Sequence, residues 1–408
     1  MTIKEVEKNY KYFSYRHNAT DEDKANGLGV LKENVSGIDF ALDDADEIVE
    51  LAYATAECND IAAFRFLLEN GFNINTMNSK YETVFNLEHY NCFPSRPDFV
   101  KLAYEKGANF SKKNKGNRNI FFNALQMKSN PEVFKYLLSL PIAREQLNES
   151  YGDKRTGIML FHSAVVNNKT EEAKCILDLG FDINTSYTFY DPKPITQNAL
   201  HTICKDGSPE MLNFLIENGI DVNSKNSAGW APVHILIKRN SIETCTMLEI
   251  LKNNGADINL KCYFTELINL VEKYNGITPL FLALHYRAKA DMHRELHDGI
   301  IGKLLELGAD VSVCADNGTA IIHLACEAGN IEVLKKCGQH GIDVNLKNNI
   351  GETPLLRACS KNRQPDKIVM ALIRMGADRE IVNNNGEKAI DILSKKGNSN
   401  LVEFLLEN

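Results

Sequence analysis

The chain lacks most of the features that announce a function. It has one tryptophan and 11 prolines in 408 residues. No uncharged apolar run reaches the ~18 residues that a membrane helix needs, so a helical span is not expected. The opening Met-Thr-Ile-Lys-Glu-Val-Glu-Lys is charged where a signal peptide needs an apolar stretch, so export by a cleaved signal is not expected. Basic excess is missing too. The 46 Lys+Arg against 54 Asp+Glu give a net charge of -8, a field that repels a polyanion and argues against nucleic acid as a partner. The 10 cysteines scatter from Cys58 to Cys359 without a Cys-x-x-Cys pair, the usage of a reducing compartment. A cytoplasmic location follows, and the sequons at Asn18, Asn34 and Asn184 become chance matches. There is no Walker-type Gly-Lys-Ser/Thr, and Gly27-Leu28-Gly29 is too short for a dinucleotide fingerprint, so no cofactor is expected.

What the chain has in excess is asparagine, 44 residues spread singly or in short groups. Many belong to a recurring phrase, Leu-Leu-x-x-Gly-x-Asp/Asn-x-Asn. It runs Leu67-Leu68-Glu69-Asn70-Gly71-Phe72-Asn73-Ile74-Asn75, returns at Ile176 to Asn184, and ends again at Asn223. Further copies centre on Gly107, Gly255, Gly308, Gly341 and Gly376. The glycines stand 36 (71 to 107), 73, 39, 36, 53, 33 and 35 residues apart. The gap of 73 is about two periods, and Leu137-Leu138-Ser139-Leu140-Pro141 supplies the copy without glycine. About ten units result. Asn75, Asn184, Asn223, Asn259 and Asn345 close the phrase, where asparagine tolerates a left-handed backbone and caps turns.

Each unit repeats one grammar. A polar Gly-containing turn precedes a tetrad such as Ala231-Pro232-Val233-His234, Thr278-Pro279-Leu280-Phe281 or Thr353-Pro354-Leu355-Leu356. A short apolar helix follows, then a Gly or Asn (Gly329, Asn168, Asn240, Gly207) where a positive φ would end it. A second amphipathic helix follows, with Met211, Leu212, Leu215 and Ile216 on one face.

Residues 46–408 resemble the ankyrin repeat family in these slots. The resemblance implies an all-α fold with short β-hairpin fingers, a solenoid of about ten units. Physics points the same way, because helices of ~8–10 residues are unstable alone and must bury their stripes on neighbours. Residues 1–45 read as an N-terminal helical cap, and insertions fall at 185–197, 262–275 and 288–298. Lys336-Cys337-Gly338 departs from the Leu-rich helix end and reads as a soft point in the stack.

His162, His201, His234 and His323 share the tetrad's fourth slot, and four equivalent copies indicate scaffold. The resemblance implies that these imidazoles bond neighbouring backbone between fingers. Cys204, Cys326 and Cys359 share a slot of the first helix and read as small buried hydrophobes, with Cys175 alike. Cys58, Cys92, Cys262 and Cys314 fall in turns and are expected to be more exposed. His293-Arg294-Glu295-Leu296-His297 places two imidazoles on one helix face, as a zinc pair requires. Arg294 stands where a metalloprotease needs Glu, and only His285 or Cys262 offers a third ligand. No metal is expected.

Solenoids bind through finger tips and the concave face. The residues before each tetrad (Glu82, Arg118, Ile158, Gln197, Trp230, Ile277, Thr319, Glu352 and Glu387) are expected to point outward, with Trp230 beside Ile277 as the anchor. Lys80, Lys112, Lys113, Lys115, Arg118, Lys154 and Arg155 form a basic stripe suited to an acidic patch on a protein partner. Tyr187, Phe189 and Tyr190 lie in an enlarged finger. The expected function is non-enzymatic protein binding, and in style the chain is similar to secreted bacterial ankyrin effectors, which would place it in a host cytosol. The rival readings are an enzyme or metal site around His293 and His297, and a binder of anionic lipid through the basic fingers.

Overall fold

A helix of eight or nine residues gains too few hydrogen bonds to offset its nucleation, so it persists only where its apolar face is covered. The computed structural model shows how that cover is supplied. It describes residues 2–14, 20–41, 43–58, 60–86, 97–116, 119–121, 131–148, 156–190, 194–239, 241–263, 275–290 and 294–407. The chain divides into two units, Met1–Asp182 and Ile183–Asn408.

The first unit begins with α1 (Ile3–Ser14) and α2 (Asp21–Asn34), which pack on each other and on α3 (Ala45–Glu57) and α4 (Ile61–Glu69). Gly27 of α2 permits this approach, because a Cβ there would stand 3.2 Å from the Tyr10 ring. Tyr10 is fully buried and donates its hydroxyl hydrogen to Asp60 Oδ2 at 3.0 Å. The other oxygen of Asp60 caps α4 by accepting from Ala63 N at 3.0 Å. Next come α5 (Pro97–Glu105), α6 (Pro131–Ser139), α7 (Pro141–Asn148), α8 (Thr156–Val166) and α9 (Thr170–Asp178). Helices α4, α5, α6 and α9 pack in succession, with Phe64 and Phe99 at 4.4 Å between ring centroids.

The second unit opens with a hairpin, β1 (Tyr187–Tyr190) and β2 (Pro194–Gln197), paired antiparallel with Thr188 opposite Thr196. Six helix pairs follow: α10 (Ala199–Asp206) with α11 (Pro209–Glu217), α12 (Pro232–Arg239) with α13 (Thr244–Asn253), and α14 (Pro279–Lys289) with α15 (Arg294–Glu306). The remaining pairs are α16 (Ile321–Ala328) with α17 (Ile331–Gln339), α18 (Pro354–Lys361) with α19 (Asp366–Arg374), and α20 (Ala389–Lys395) with α21 (Ser399–Glu407). The first helices α10, α12, α14, α16, α18 and α20 stack in a row. The core lies between this row and the second helices, and every residue from Pro279 to His285 is buried. Starts are set by caps: Thr278 and Thr353 accept from the N–H three residues on, with proline at the first helical position.

The eight phrase glycines, Gly71 to Gly376, all have φ between 68° and 108°. At each, the helix ends by turning left-handed, as where Ala256 N–H reaches Leu251 O at 2.9 Å. The first helices end less uniformly. Gly329 and Asn168 have positive φ, but Gly207 is extended at φ -92° and is required for a different reason. A Cβ on Gly207 would come within 2.8 Å of the Ile203 backbone. Asn240 lies outside the described residues. Gly338 is likewise used, since the Met375 methyl fills the space its Cβ would take, 2.8 Å away.

The phrase-closing asparagines do something the sequence reading missed. Asn223 Nδ2 donates to Gly255 O at 3.0 Å, and its Oδ1 accepts from Asp257 N at 2.8 Å. Asn75 does the same to Gly107 and Asn109, Asn184 to Gly219 and Asp221, Asn259 to Gly308 and Asp310, and Asn345 to Gly376 and Asp378. None of the five is left-handed. Each of the five ties its own repeat to the next instead of capping its own turn. Regular strand pairing among the described residues is confined to β1–β2 and two isolated bridges, Cys262–Ile277 and Cys314–Ala320. Removing both bonds with Asn223→Ala should cost about 1–2 kcal/mol and lower the urea midpoint. Asn213→Ala, on the exposed side of α11, should leave that midpoint unchanged.

Candidate interaction surface

Between a second helix and the next tetrad the chain makes one recurring turn. Asn226 N donates to Trp230 O, Gly229 N donates to Asn226 O, and Asn226 Oδ1 accepts from Ala228 N and Trp230 N, all at 2.9–3.0 Å. The turns at Asn348 and Asn383 repeat every one of these bonds. Because the asparagine side chain takes the inner N–H groups, most arms need no ladder. Neighbouring turns join directly, as where Asn349 N donates to Asn317 O at 3.1 Å.

This geometry overturns the expected outward slot. Trp230 is 3% exposed and Ile277 0%, and Glu82 and Thr319 are buried as well. The slot follows the turn's left-handed residue, and its carbonyl is pinned back by the N–H that opens the turn (Asn78, Asn226, Cys262 or Ala315), so the side chain folds in over the tetrad. Trp230 packs edge-on to His234, centroids 6.3 Å apart, with Lys238 Nζ 6.0 Å from its ring. Gln197, Glu352 and Glu387 are half-buried. The tips themselves lie one and two residues earlier: Tyr81 is 59% exposed and Ile350 57%. The signal for them was the polar turn itself, whose exposed positions precede the slot that was chosen.

Two of the tetrad histidines, His201 and His323, are hydrogen-bonded into the scaffold. His323 Nδ1 accepts from Ala320 N at 3.1 Å, which leaves Nε2–H to donate toward Leu346 O and Glu352 O at 3.0 and 3.1 Å. His201 sits between Asn198 Oδ1 and Trp230 O. Burial pushes His162, His201, His234, His285 and His323 down to about 4. They are neutral at pH 7, as buried imidazoles without a carboxylate partner must be. Cys204, Cys326 and Cys359 are buried, with thiols raised by burial. Cys262 is also buried, against expectation, because its backbone exchanges both bridge hydrogen bonds with Ile277 at 2.9 and 3.2 Å. Cys58 is half-buried, Cys314 is exposed, and Cys92 lies outside the described residues.

Of the basic residues, Lys115 is exposed with Nζ 5.5 Å from the Tyr81 ring centroid, Lys80 is exposed, and Lys113 is half-buried. Lys112 Nζ donates to Asn75 O at 2.9 Å. Arg118, Lys154 and Arg155 lie outside the described residues, as do the side chains of Ile158, Phe189 and Tyr190. Tyr187 is half-buried, not displayed: its hydroxyl meets Thr202 Oγ1, and burial raises the phenol. His293 is outside the described residues, and His297 is 7% exposed on α15. Among the described residues no three His, Cys, Asp or Glu side chains are grouped to hold a metal, and no helix is long and apolar enough to cross a membrane.

Helix pairs that repeat one turn, one cap and one inter-repeat bond define a tandem-repeat protein. The family model for ankyrin repeats in three copies matches residues 161–262, 200–313, 290–378 and 323–408, together more than half of the chain. The chain belongs to the ankyrin repeat family. It is similar to ankyrin repeat protein R599 of Acanthamoeba polyphaga mimivirus, 28% identical over 217 residues, 53% of this chain and 52% of that one. An ankyrin repeat protein of Rickettsia bellii is 37% identical over 90 residues, 21% of this chain and 52% of its own. Human SH3 and multiple ankyrin repeat domains protein 2 is 26% identical over 247 residues, 58% of this chain and 11% of that protein. A crystal structure of an ankyrin repeat domain from Acinetobacter baumannii AYE has a TM-score of 0.40 at 20% identity, covering 51% of this chain and 95% of that one. The chain spans about half the length of the viral and rickettsial relatives.

The five histidines stay neutral in the folded chain at pH values where the unfolded chain takes up protons, near pH 6.5. Stability is therefore unaffected above pH 6.5 and falls as pH drops from 6.5 towards about 4, by up to about 1.4 kcal/mol per pKa unit per imidazole. Trp230 reports it: its emission should be blue-shifted and poorly quenched by acrylamide at pH 7, with the urea midpoint of its red shift falling through that window.

Proposed function

We infer a binding role from the family, since ankyrin repeats generally mediate protein–protein interaction. We propose that this chain is a non-enzymatic scaffold that binds a host protein, in the manner of a secreted effector acting in the cytosol. Its architecture on this reading is a solenoid of about ten units with hairpin-like fingers over residues 46–408, capped by the helices of residues 1–45. The carrying observation is the division of labour at the turns. The turn asparagines, the inner backbone groups and the imidazoles of His201 and His323 are committed to the scaffold, while Tyr81, Ile350, Lys80 and Lys115 are held outward on a hydrogen-bonded frame. Frame-held exposed residues lose little entropy on binding, which favours recognition. The exposed lysines suit a partner with an acidic patch.

The full chain, immobilised and passed over host cytosol, should retain one or a few proteins stoichiometrically, with retention weakening as salt rises. Retention of nothing above a control of equal charge would remove the proposal.

A further inference from the structure

Four tip turns place glycine at the same position. Gly229, Gly318, Gly351 and Gly386 each donate N–H to the carbonyl three residues back at 2.9 Å, with φ between 72° and 82°. Tyr81 occupies that position in its own turn. Its N–H donates to Asn78 O at 3.0 Å, and its φ is 62°. A residue with a Cβ is strained there, and a bulky one is an outlier whose persistence asks for a function.

The following turn differs in step. At Gly318 and Gly351 the following turn's Asn349 and Asn384 lie against the glycine, within 2.8 Å of where a Cβ would stand, and Asp316 lies likewise against Gly276 at 2.9 Å. Behind Tyr81 the equivalent residue is Lys115, its ammonium 5.5 Å from the ring centroid. Polar-on-glycine stacking has become cation-on-ring. The ring is 59% exposed, and the turn's own bonds run through backbone and Asn78, so the fold makes little use of it. Nearby acids face the scaffold: Glu82 is buried and accepts from Asn78 Nδ2 at 2.7 Å, and Asp46 accepts from the Ser79 hydroxyl at 2.7 Å. Lys80 and Lys115 are exposed.

We propose that Tyr81, with Lys80 and Lys115, anchors an acidic, extended segment of a partner protein. Carboxylates of that segment pair with the two ammonium groups, and the ring covers an apolar side chain between them. Charge complementarity and a rigid aromatic of two side-chain torsions are what such an anchor needs. The assignment rests on the scaffold reading and names its partner class.

A random-peptide library selected on the full chain tests it. Acidic peptides should be enriched, and Tyr81→Gly should weaken them about tenfold while the thermal midpoint holds or rises, since glycine suits the turn. Tyr81→Phe should keep both the ring and most of the affinity. Enriched peptides that are not acidic, or that bind Tyr81→Gly as tightly, overturn this anchor and leave the scaffold standing. A library that yields no binder removes both. Tyr81-dependent binding to phosphatidylserine vesicles in preference to any peptide would assign the site to a membrane surface and overturn it also.

Discussion

At five junctions a repeat is tied to the next by a single carboxamide. The asparagine that closes the glycine phrase reaches the following repeat with both of its polar atoms, donating to the glycine carbonyl and accepting from the N–H two residues on. The glycine must be left-handed for its carbonyl to face that way, and the Asp or Asn after it is itself locked, as where Asp221 Oδ1 accepts from Asn223 N at 2.9 Å. One phrase therefore does three jobs: it ends a helix, makes the turn and sets the spacing to the next helix pair. Helix packing supplies most of the burial, but the carboxamide fixes the register at which that burial occurs.

Repeated slots were legible in the sequence because repetition averages out local ambiguity. The period, the helix pairs, the tetrad caps and the structural histidines all follow from positions that agree in phase, as Thr278 and Thr353 do. Single residues were less legible. Trp230 looked like an anchor because it stands alone in the composition and just before a tetrad. Its direction is set by one backbone bond, Asn226 N to Trp230 O, which no side-chain pattern encodes. The asparagines carried the right count for the wrong reason, since a partner some 35 residues away is invisible to local turn rules. Tyr81 escaped notice because its slot is marked by what is absent there, a glycine, and that shows only once the turns are superposed.

The buried histidines and the displayed tips are two outcomes of the same turn. Its inner side must satisfy a dense set of carbonyls and N–H groups without water, so neutral imidazoles and carboxamides collect there. Its outer side carries fewer such obligations, a few turn-to-turn bonds such as Asn384 Nδ2 to Asn349 O apart. A side chain on the inner side changes stability, and one on the outer side changes what is bound.

The ladder of carboxamides is not continuous. In the phrases at Gly107 and Gly308 the closing residues are Ser111 and Ser312, whose hydroxyls turn back onto Asn109 at 2.6 Å and Asp310 at 2.7 Å, and in the phrase at Gly376 it is Glu380, paired with Lys388 at 2.6 Å. None of the three can make the forward clasp of an asparagine. In a one-dimensional array, stability is a sum over neighbours, so a weaker junction marks where cooperativity divides. Substituting one hydroxyl for one amide between the helix pairs ending at Glu306 and Gln339 thus writes a seam into the array. Cooperativity across that junction then rests on the packing of α14 on α16 and on the bond from Asn349 N to Asn317 O.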